Sequence, residues 1–330
     1  MKSIFLANYA GNIDYVYSKE SIKRLKELTD VDETKIYSQS DLETNPELFK
    51  DVEYVFSTWS MPGGEVIKYL PKLKAAFYAA GSVQHFAKEF IEHGARVFSA
   101  ASANAVPVAE YTLAQILLAN KGFYGARVTS KENYDTCGEF SKKHCGNYDA
   151  KIGIIGVGMI GRTVIELLKP FKVDILVFDA FLSDEKAKEL GVTKVSLEEL
   201  FSQCDIVSNH LANVPATVGM LKGEHFAKMK PYSTFINTGR GAQIKEDEML
   251  SVLKERSDIT ALLDVTIEEP PVGDSPLYNL ENVYLTPHIA GSQAKEVNRM
   301  AEYMVKAFEA VLKNEPTNYE VTLKMLETMA

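Results

Sequence analysis

Short runs of apolar residues alternate with longer amphipathic stretches through the first hundred residues of the chain. The apolar runs are rich in Ile, Val, Phe and Tyr and predict strands over residues 4–7, 35–37, 54–58, 75–79 and 96–99. Stretches with helical spacing of apolar residues, such as 21–28 and 64–70, lie between them. Strands that alternate with helices of this length form βαβ units, so the pattern predicts a parallel sheet with helices on both faces.

The second part of the chain repeats this alternation after a long helix predicted over residues 108–120. That helix is apolar nearly all round, which indicates burial in a core or at an interface. A polar, turn-rich stretch over 129–148 follows it. A second series of strands is predicted over 152–156, 175–179, 205–209, 234–237, 260–263 and 283–285. A final helix over 292–312 comes after this series, so we expect two α/β domains and a last helix that can pack on the first domain.

Composition places the chain among globular proteins and excludes several classes of function. Its 330 residues correspond to about two domains, with an ordinary 46% of hydrophobic residues. The formal net charge of −9 argues against a nucleic-acid or anionic-membrane partner. No apolar run approaches the roughly 18 residues of a membrane span, and the first residues predict a strand, not a secretory signal. Cys137, Cys145 and Cys204 lack metal-site spacing, so we expect a cytoplasmic protein without disulfides or zinc.

A glycine-rich turn follows the first strand of the second series. Gly156, Gly158 and Gly161 form the pattern Gly-x-Gly-x-x-Gly, which permits a tight turn, close approach to a pyrophosphate, and helix–strand packing. Asp179 ends the next predicted strand, where a carboxylate would bond the ribose hydroxyls of an adenosine; the alternative is that it caps the following turn. Because a carboxylate repels a 2′-phosphate, the sequence favours NAD over NADP as the cofactor.

Charged side chains follow three later strands at the points where these strands end. Arg240, Asp264 and His288 each follow one strand, and Glu269 comes shortly after Asp264. In open α/β sheets the carboxyl ends of the strands face the ligand crevice, so we expect these groups to converge beside a bound dinucleotide. Each residue alone is more often structural or ion-paired. Only their combination with the glycine-rich turn points to catalysis.

Six ordered motifs make the sequence resemble the D-isomer-specific 2-hydroxyacid dehydrogenase family over nearly the whole chain. They are Val108-Ala-Glu110, the glycine-rich turn, His210…Pro215-Ala-Thr217, Met229-Lys-Pro231…Asn237-Thr-Gly-Arg240-Gly241, Asp264…Glu269-Pro270 and Pro287-His288. The resemblance implies two Rossmann-like or flavodoxin-like α/β domains with parallel sheets, the cofactor domain being inserted in the substrate domain. Residues 1–101 and 293–330 would form the substrate (catalytic) domain, and residues 102–292 would form the NAD-binding Rossmann domain.

The resemblance also implies roles for the charged residues. Arg240 would bind the substrate carboxylate and polarise the carbonyl, a task suited to a planar guanidinium. His288 would exchange a proton with the substrate oxygen as hydride moves, and Glu269 would hydrogen-bond its imidazole and favour the protonated form. Glu269 is preferred to its neighbour Glu268 only by the family's spacing. The implied cofactor-binding residues are Gly156, Gly158, Met159, Ile160, Asp179, His210, Thr238 and Asp264.

Two of the cofactor residues carry a more specific prediction. Asp264 would meet the nicotinamide carboxamide. His210 ends a strand in a segment that lines the cofactor in the family, and a histidine bonded only to the backbone is the equally weighted alternative.

The implied substrate-binding residues are Trp59, Ala80, Gly81 and Arg240. Backbone N–H groups of the Ala80–Gly81 turn would bind the substrate carboxylate, and Trp59 would line an apolar pocket or else pack in the core. Residues 57–62 contain no arginine or lysine to neutralise a phosphate, so a phosphorylated substrate is disfavoured.

These observations predict an NAD-dependent D-2-hydroxyacid dehydrogenase, which interconverts a small non-phosphorylated 2-oxo acid and its (R)-2-hydroxy acid without a metal. The alternatives are an NAD-sensing, corepressor-like binding protein and a phosphite-type dehydrogenase. Formate enzymes generally carry Gln in place of Glu269. A homodimer through the cofactor domain is also implied, with helix 108–120 as a candidate interface; the alternative is that this helix is simply buried in the core. We expect neither a nucleic-acid nor a membrane partner.

Overall fold

The alternating strands and helices form two sheets in this computed structural model, which describes residues 1–127, 130–327 and 329. The strands are β1 (Ser3–Leu6), β2 (Ile36–Tyr37), β3 (Tyr54–Ser57), β4 (Ala75–Tyr78), β5 (Arg96–Ser99), β6 (Ala150–Ile155), β7 (Val173–Phe178), β8 (Thr193–Lys194), β9 (Ile206–Asn209), β10 (Thr234–Asn237), β11 (Thr260–Leu263), β12 (Val283–Leu285) and β13 (Glu320–Val321).

Helices connect most of these strands. The α-helices are α1 (Gly11–Val16), α2 (Lys19–Leu28), α3 (Gln39–Thr44), α4 (Ala87–Glu92), α5 (Ala101–Ala119), α6 (Tyr134–Ser141), α7 (Met159–Leu168), α8 (Asp184–Leu190), α9 (Leu197–Gln203), α10 (Gly223–Ala227), α11 (Glu246–Glu255), α12 (Val297–Leu312) and α13 (Leu323–Leu326). Short 3₁₀ helices cover Pro46–Phe49, Gly64–Tyr69, Lys131–Asn133, Pro215–Thr217, Gly241–Gln243, Pro276–Tyr278 and Ala294–Glu296. Within the described ranges, no helix is long and apolar enough to cross a membrane.

The chain divides into two compact units. Residues 1–104 and 292–330 form one, which we call the split unit, and residues 105–291 form the other, which we call the inserted unit. Thr129, at the start of the predicted turn-rich stretch, and Thr328 and Ala330, within the predicted substrate domain, lie outside the described residues.

The split unit contains a sheet in the order β13-β5-β4-β3-β1-β2. Strands β1 to β5 are parallel, and only the edge strand β13 runs antiparallel to its neighbour β5. Apolar side chains are buried on both faces of the sheet, as a parallel sheet covered by helices requires. On one face, Phe308 of α12 packs on Tyr54, Phe56 and Phe77 at ring-centroid distances of 5.1, 5.1 and 5.3 Å. The last long helix therefore completes the core of the first sheet.

The inserted unit contains a fully parallel sheet in the order β12-β11-β10-β9-β6-β7-β8. Counted within this unit, the strands run 7-6-5-4-1-2-3, which is the doubly wound order of dinucleotide-binding sheets with a seventh strand added. The order of connections reverses between β6 and β9, so a crevice opens at their carboxyl ends. The predicted fold class, two α/β domains with parallel sheets, is confirmed.

Local capping explains several helix boundaries in the inserted unit. Ser196 accepts a hydrogen bond from the backbone of Glu199, whose side chain bonds back to Ser196, which starts α9 with a capping box. Gly191 ends α8 in the left-handed conformation at φ +73°. Helix α5 is different, because Pro107 lies inside it. The apolar pattern predicts a helix that starts after the proline, at residue 108, whereas the helix begins at Ala101.

Candidate active site

The glycine-rich turn lies at the carboxyl end of β6, where the strand order reverses. Gly156 has φ +86°, and a Cβ there would lie 2.8 Å from the carbonyl oxygen of His210. A Cβ on Gly161 would lie 2.1 Å from the carbonyl oxygen of Gly156, so this glycine lets α7 pack directly on the turn. At Gly158, by contrast, no described atom lies within 4 Å of the Cβ position. The turn is thus closed at its first and third glycines and open at its second.

The open position coincides with the start of α7. Gly158 is the N-cap of this helix and supplies no side-chain hydrogen bond, so the first N–H groups, from Met159 and Ile160 onward, are free of a side-chain cap. Uncapped N–H groups together with the helix dipole favour an anion such as a phosphate. The residues present therefore fit the pyrophosphate of a dinucleotide.

Asp179 lies beside this turn because β6 and β7 are neighbours in the sheet. Its Oδ2 accepts a hydrogen bond from the N–H of Val157 at 2.7 Å. Its Oδ1 accepts from the N–H groups of Phe181 and Leu182 at 2.8 and 3.0 Å. The carboxylate does cap the following turn, and it also borders the glycine-rich turn. Capping of the turn and a contact with the ribose of a cofactor are therefore compatible roles for Asp179. The cofactor role stays a prediction.

His210 is a buried group that supports Thr238. Its Nδ1 lies 3.3 Å from the Thr238 hydroxyl, and its Nε2 lies 2.9 Å from the Ser208 hydroxyl. Burial lowers the pKa of His210 to about 3, so the imidazole is neutral at physiological pH. Both ring nitrogens have side-chain partners, a third possibility that the sequence analysis did not weigh.

Arg240 lies on the turn after β10. Its backbone N–H donates to Oε1 of Gln243 at 3.1 Å, and its guanidinium donates to the carbonyl of Gly239 at 2.7 Å. The turn contacts the next loop, because a Cβ on Gly241 would lie 2.0 Å from the carbonyl carbon of Thr266. The turn that carries Arg240 and the loop that leads to Glu269 are therefore in direct contact.

A buried amide network that was not predicted from the sequence holds this turn. The Asn209 amide donates to Asn237 at 2.9 Å and to Gln243 at 2.6 Å. The Asn237 amide donates to the carbonyl of Arg240 at 3.2 Å. Polar residues at the ends of otherwise apolar strands were the available signal.

His288 and Glu269 form a hydrogen-bonded pair. Nδ1 of His288 lies 2.7 Å from Oε2 of Glu269, and their side chains are 48% and 38% exposed. The other carboxylate oxygen accepts from the N–H of Thr266 at 3.4 Å. Glu269, not Glu268, is the partner. An imidazole bonded at Nδ1 to a carboxylate can give or take a proton at Nε2, which is the geometry of a general acid or base.

Asp264 lies beneath this pair and is almost fully buried, at 3% exposure. Its Oδ1 accepts from the Thr286 hydroxyl at 2.6 Å and from the N–H of Ile289 at 2.9 Å. Its Oδ2 accepts from the N–H of Ala290 at 2.9 Å. A carboxylate has about four acceptor positions. Three are used here, so one remains for the predicted hydrogen bond from the nicotinamide.

The split unit carries the remaining predicted residues. Trp59 is half-buried, stacks on Tyr15 at 6.3 Å between ring centroids, and packs against the cores on both faces of the sheet. Ala80 and Gly81 follow β4, and their carbonyls accept from the Ser99 hydroxyl at 3.1 and 2.7 Å. Among the described residues, no acceptor is found for the backbone N–H groups of Ala80 and Gly81. This turn can therefore donate to a carboxylate.

The fold and the site of the inserted unit together define a dinucleotide-binding α/β protein with a hydrogen-bonded His–Glu pair after the last two strands of its sheet. Within the described part of the chain, no group of His, Cys, Asp and Glu side chains has a metal-binding arrangement.

Comparison with known proteins identifies the family. Residues 113–290 match the family model described as the D-isomer specific 2-hydroxyacid dehydrogenase, NAD binding domain. Glyoxylate reductase of Korarchaeum cryptofilum is 31% identical over 82% of this chain and 82% of its own length. D-3-phosphoglycerate dehydrogenase of Synechocystis sp. is 30% identical over 70% of this chain, which spans only 41% of that enzyme. The chain belongs to the D-isomer specific 2-hydroxyacid dehydrogenase family, and both the inferred resemblance and NAD as the cofactor are confirmed.

Solved structures show the same fold. D-mandelate dehydrogenase of Rhodotorula graminis aligns with a TM-score of 0.82 over 97% of each chain, at 21% sequence identity. At this identity the similarity concerns the architecture alone.

Proposed function

We propose that this protein is an NAD-dependent oxidoreductase that interconverts a small, non-phosphorylated 2-oxo acid and its (R)-2-hydroxy acid. The observation that carries the proposal is the 2.7 Å hydrogen bond between His288 and Glu269 at the carboxyl edge of a dinucleotide-binding sheet. Residues 1–101 and 293–330 would act as the substrate domain, and residues 102–292 as the NAD-binding domain.

The chain's own residues supply binding and proton transfer. Arg240 holds the substrate carboxylate and draws electron density toward the carbonyl oxygen. His288 donates a proton to that oxygen from Nε2 during reduction and takes it back during oxidation. Glu269 accepts a hydrogen bond from Nδ1 and so holds the ring with Nε2 directed away from the carboxylate. NADH, when bound, supplies the hydride that reduces the carbonyl carbon. One 2-oxo acid, one hydride and one proton thus give one 2-hydroxy acid.

The absence of fixed cations in one sequence segment supports a non-phosphorylated substrate. Residues 57–62, which contain Trp59, include no arginine or lysine. The relatives include both a glyoxylate reductase and D-3-phosphoglycerate dehydrogenases at about 30% identity, so the choice of substrate class rests on the missing cations. The substrate-binding roles of Trp59, Ala80 and Gly81 remain predictions.

A substrate panel followed by NADH absorbance tests the proposal. The panel contains glyoxylate, pyruvate, hydroxypyruvate, branched and aromatic 2-oxo acids, and phosphohydroxypyruvate. We expect turnover of at least one non-phosphorylated acid, with the (R)-2-hydroxy acid as product. Preference for phosphohydroxypyruvate would contradict the substrate class. NAD reduction by phosphite would favour the phosphite-type alternative, and NADH binding without any turnover would favour a corepressor-like protein.

Replacing Asp179 with alanine is expected to raise the ratio of kcat/KM with NADP to that with NAD. We expect a change of roughly 10- to 100-fold, the size of one hydrogen bond to a charged group, because the variant removes both a ribose partner and the repulsion of a 2′-phosphate. Initial rates with both cofactors measure it, with Asp184→Ala, an exposed helix residue nearby, as the control. An unchanged ratio would assign cofactor discrimination to another group.

We also propose a homodimer formed through the inserted unit. Leu118 near the end of α5 is 40% exposed and the nearby Phe123 is 48% exposed, and large exposed apolar side chains that lie close together favour an interface. Light scattering coupled to gel filtration is expected to give twice the chain mass, and Leu118→Asp is expected to shift the protein toward the monomer. A monomeric wild-type protein would favour the alternative that α5 is only a core helix.

A further inference from the structure

A chain of hydroxyl groups connects α5 to the carboxylate of Asp264. The Tyr111 hydroxyl lies 2.9 Å from Oγ1 of Thr286, although the two residues are 175 positions apart in sequence. Thr286 in turn lies 2.6 Å from Oδ1 of Asp264. Thr286 lies two residues before His288, so this series of hydroxyl groups ends at a carboxylate that bonds the backbone next to the proposed acid/base.

The direction of the hydrogen bonds follows from the number of available protons. Asp264 accepts from two backbone N–H groups and is an acceptor as a carboxylate, so Thr286 must donate its only hydroxyl proton to it. The Thr286 oxygen can then only accept from Tyr111. Burial raises the pKa of Tyr111, so that its hydroxyl keeps the proton it donates. Hydrogen bonds in a series of this kind polarise and strengthen one another.

Asp264 holds the backbone of the histidine and of the two residues that follow it. Its carbonyl oxygen accepts from the N–H of His288 at 3.0 Å, and its carboxylate accepts from the N–H groups of Ile289 and Ala290. His288 itself has φ +52°, a left-handed conformation that L-residues with a side chain rarely adopt. Such a backbone conformation persists only where surrounding contacts stabilise it. In this loop the contacts place Nδ1 of His288 2.7 Å from Oε2 of Glu269.

We propose that Tyr111 and Thr286 are positioning residues, which hold Asp264 so that the left-handed backbone of His288 presents its imidazole to Glu269 and to the substrate. Neither side chain is proposed to touch the substrate. The inference rests on the proposed acid/base function of His288, and it adds that turnover depends on a helix residue distant in sequence from Arg240, Glu269 and His288.

Four single variants test the proposal in the full chain. Thr286→Val keeps the shape of the side chain but removes the hydroxyl, and we expect kcat to fall roughly 10- to 100-fold from the misplaced imidazole. The Kd for NADH should change by less than about threefold. Thr286→Ser retains the hydroxyl and should restore most of kcat, and Tyr111→Phe should lower kcat about 3- to 10-fold. Tyr284→Phe is the matched control, because it removes a hydroxyl that bonds the Tyr124 carbonyl at 2.7 Å without reaching Asp264.

A double variant tests whether the two residues act in series. If Tyr111 acts only through Thr286, adding Tyr111→Phe to Thr286→Val should lower kcat no further, whereas independent residues would give multiplied effects. Multiplied effects, unchanged kcat in Thr286→Val, or an equal loss in Tyr284→Phe would each overturn the proposal. Thr286→Ser and Tyr111→Phe keep the test decisive should Thr286→Val fold poorly.

Imidazole NMR separates this inference from the proposed function. In protein labelled with ¹⁵N-histidine, the His288 ring signals are assigned by their loss in His288→Gln. We expect Thr286→Val to move these signals and leave those of the other histidines in place. If the wild-type protein reduced no 2-oxo acid but the His288 signals moved, the proposed function would fail and the positioning role would stand. Unmoved signals in a folded Thr286→Val would refute the positioning role.

Discussion

Replacing His288 with alanine is expected to lower kcat for 2-oxo acid reduction by roughly 10²- to 10⁴-fold, the usual contribution of a positioned general acid. The imidazole is bonded to Glu269 through Nδ1, which leaves Nε2 as its one free site for proton exchange. The affinity for NADH should stay close to that of the wild type, because the glycine-rich turn and Asp179 lie on other strands. Stopped-flow rates and fluorescence titration of NADH measure the two quantities.

His93→Ala provides the control for this prediction. His93 is exposed at the end of α4 in the split unit and has no proposed part in the reaction, so this variant should turn over normally. Wild-type turnover in His288→Ala would remove this histidine from the mechanism. A large loss of NADH affinity together with turnover would instead make it a cofactor-binding residue.

Arg240→Lys is expected to raise KM for the 2-oxo acid by roughly 10- to 100-fold, because a point charge cannot replace two parallel N–H donors on a carboxylate. The charge is kept, so the loss reports geometry and not net electrostatics. The conformation of the turn should not change, because Asn237 and Gln243 hydrogen-bond the backbone of residue 240. The Asn209 amide in turn bonds both of these side chains. Initial-rate kinetics at saturating NADH measure the change.

Arg96→Lys is the matched control, since Arg96 also forms a two-pronged pair, with Glu320 at 2.8 and 2.6 Å, but at the sheet edge of the split unit. This control should leave KM unchanged. A KM in Arg240→Lys equal to that of the wild type would assign carboxylate binding to another group.

The fold could be predicted from the sequence wherever local patterns carry it. Buried strands flanked by amphipathic helices, and the glycine-rich turn, are visible in short windows. The two-residue strand β8 is Thr-Lys and exposed, so it lacks an apolar run, and β13 is Glu-Val and pairs with β5 across more than two hundred residues. Helix α6 lies in the stretch predicted as turn-rich. It was not predicted because none of its residues is buried, so the helix lacks an apolar stripe.

The site could be predicted for residues that stand at the ends of strands in known motifs. Arg240, Glu269 and His288 were proposed in this way; their roles remain predictions, and the structure shows a hydrogen bond between the last two. The partners of the supporting groups could not be found, because a hydrogen bond such as that between Tyr111 and Thr286 joins residues that only the folded chain brings together. His210 shows the same limit, since its partners Ser208 and Thr238 depend on how β9 and β10 pair.

A crystal structure of the protein with NADH and oxamate, an unreactive analogue of a 2-oxo acid, tests the central claim most directly. We expect that the Arg240 guanidinium bonds the oxamate carboxylate and that Nε2 of His288 bonds the adjacent carbonyl oxygen, each at about 2.7–3.2 Å, on the same face of the nicotinamide. Oxamate bound beyond the reach of either side chain, or the two side chains on opposite faces of the ring, would contradict it.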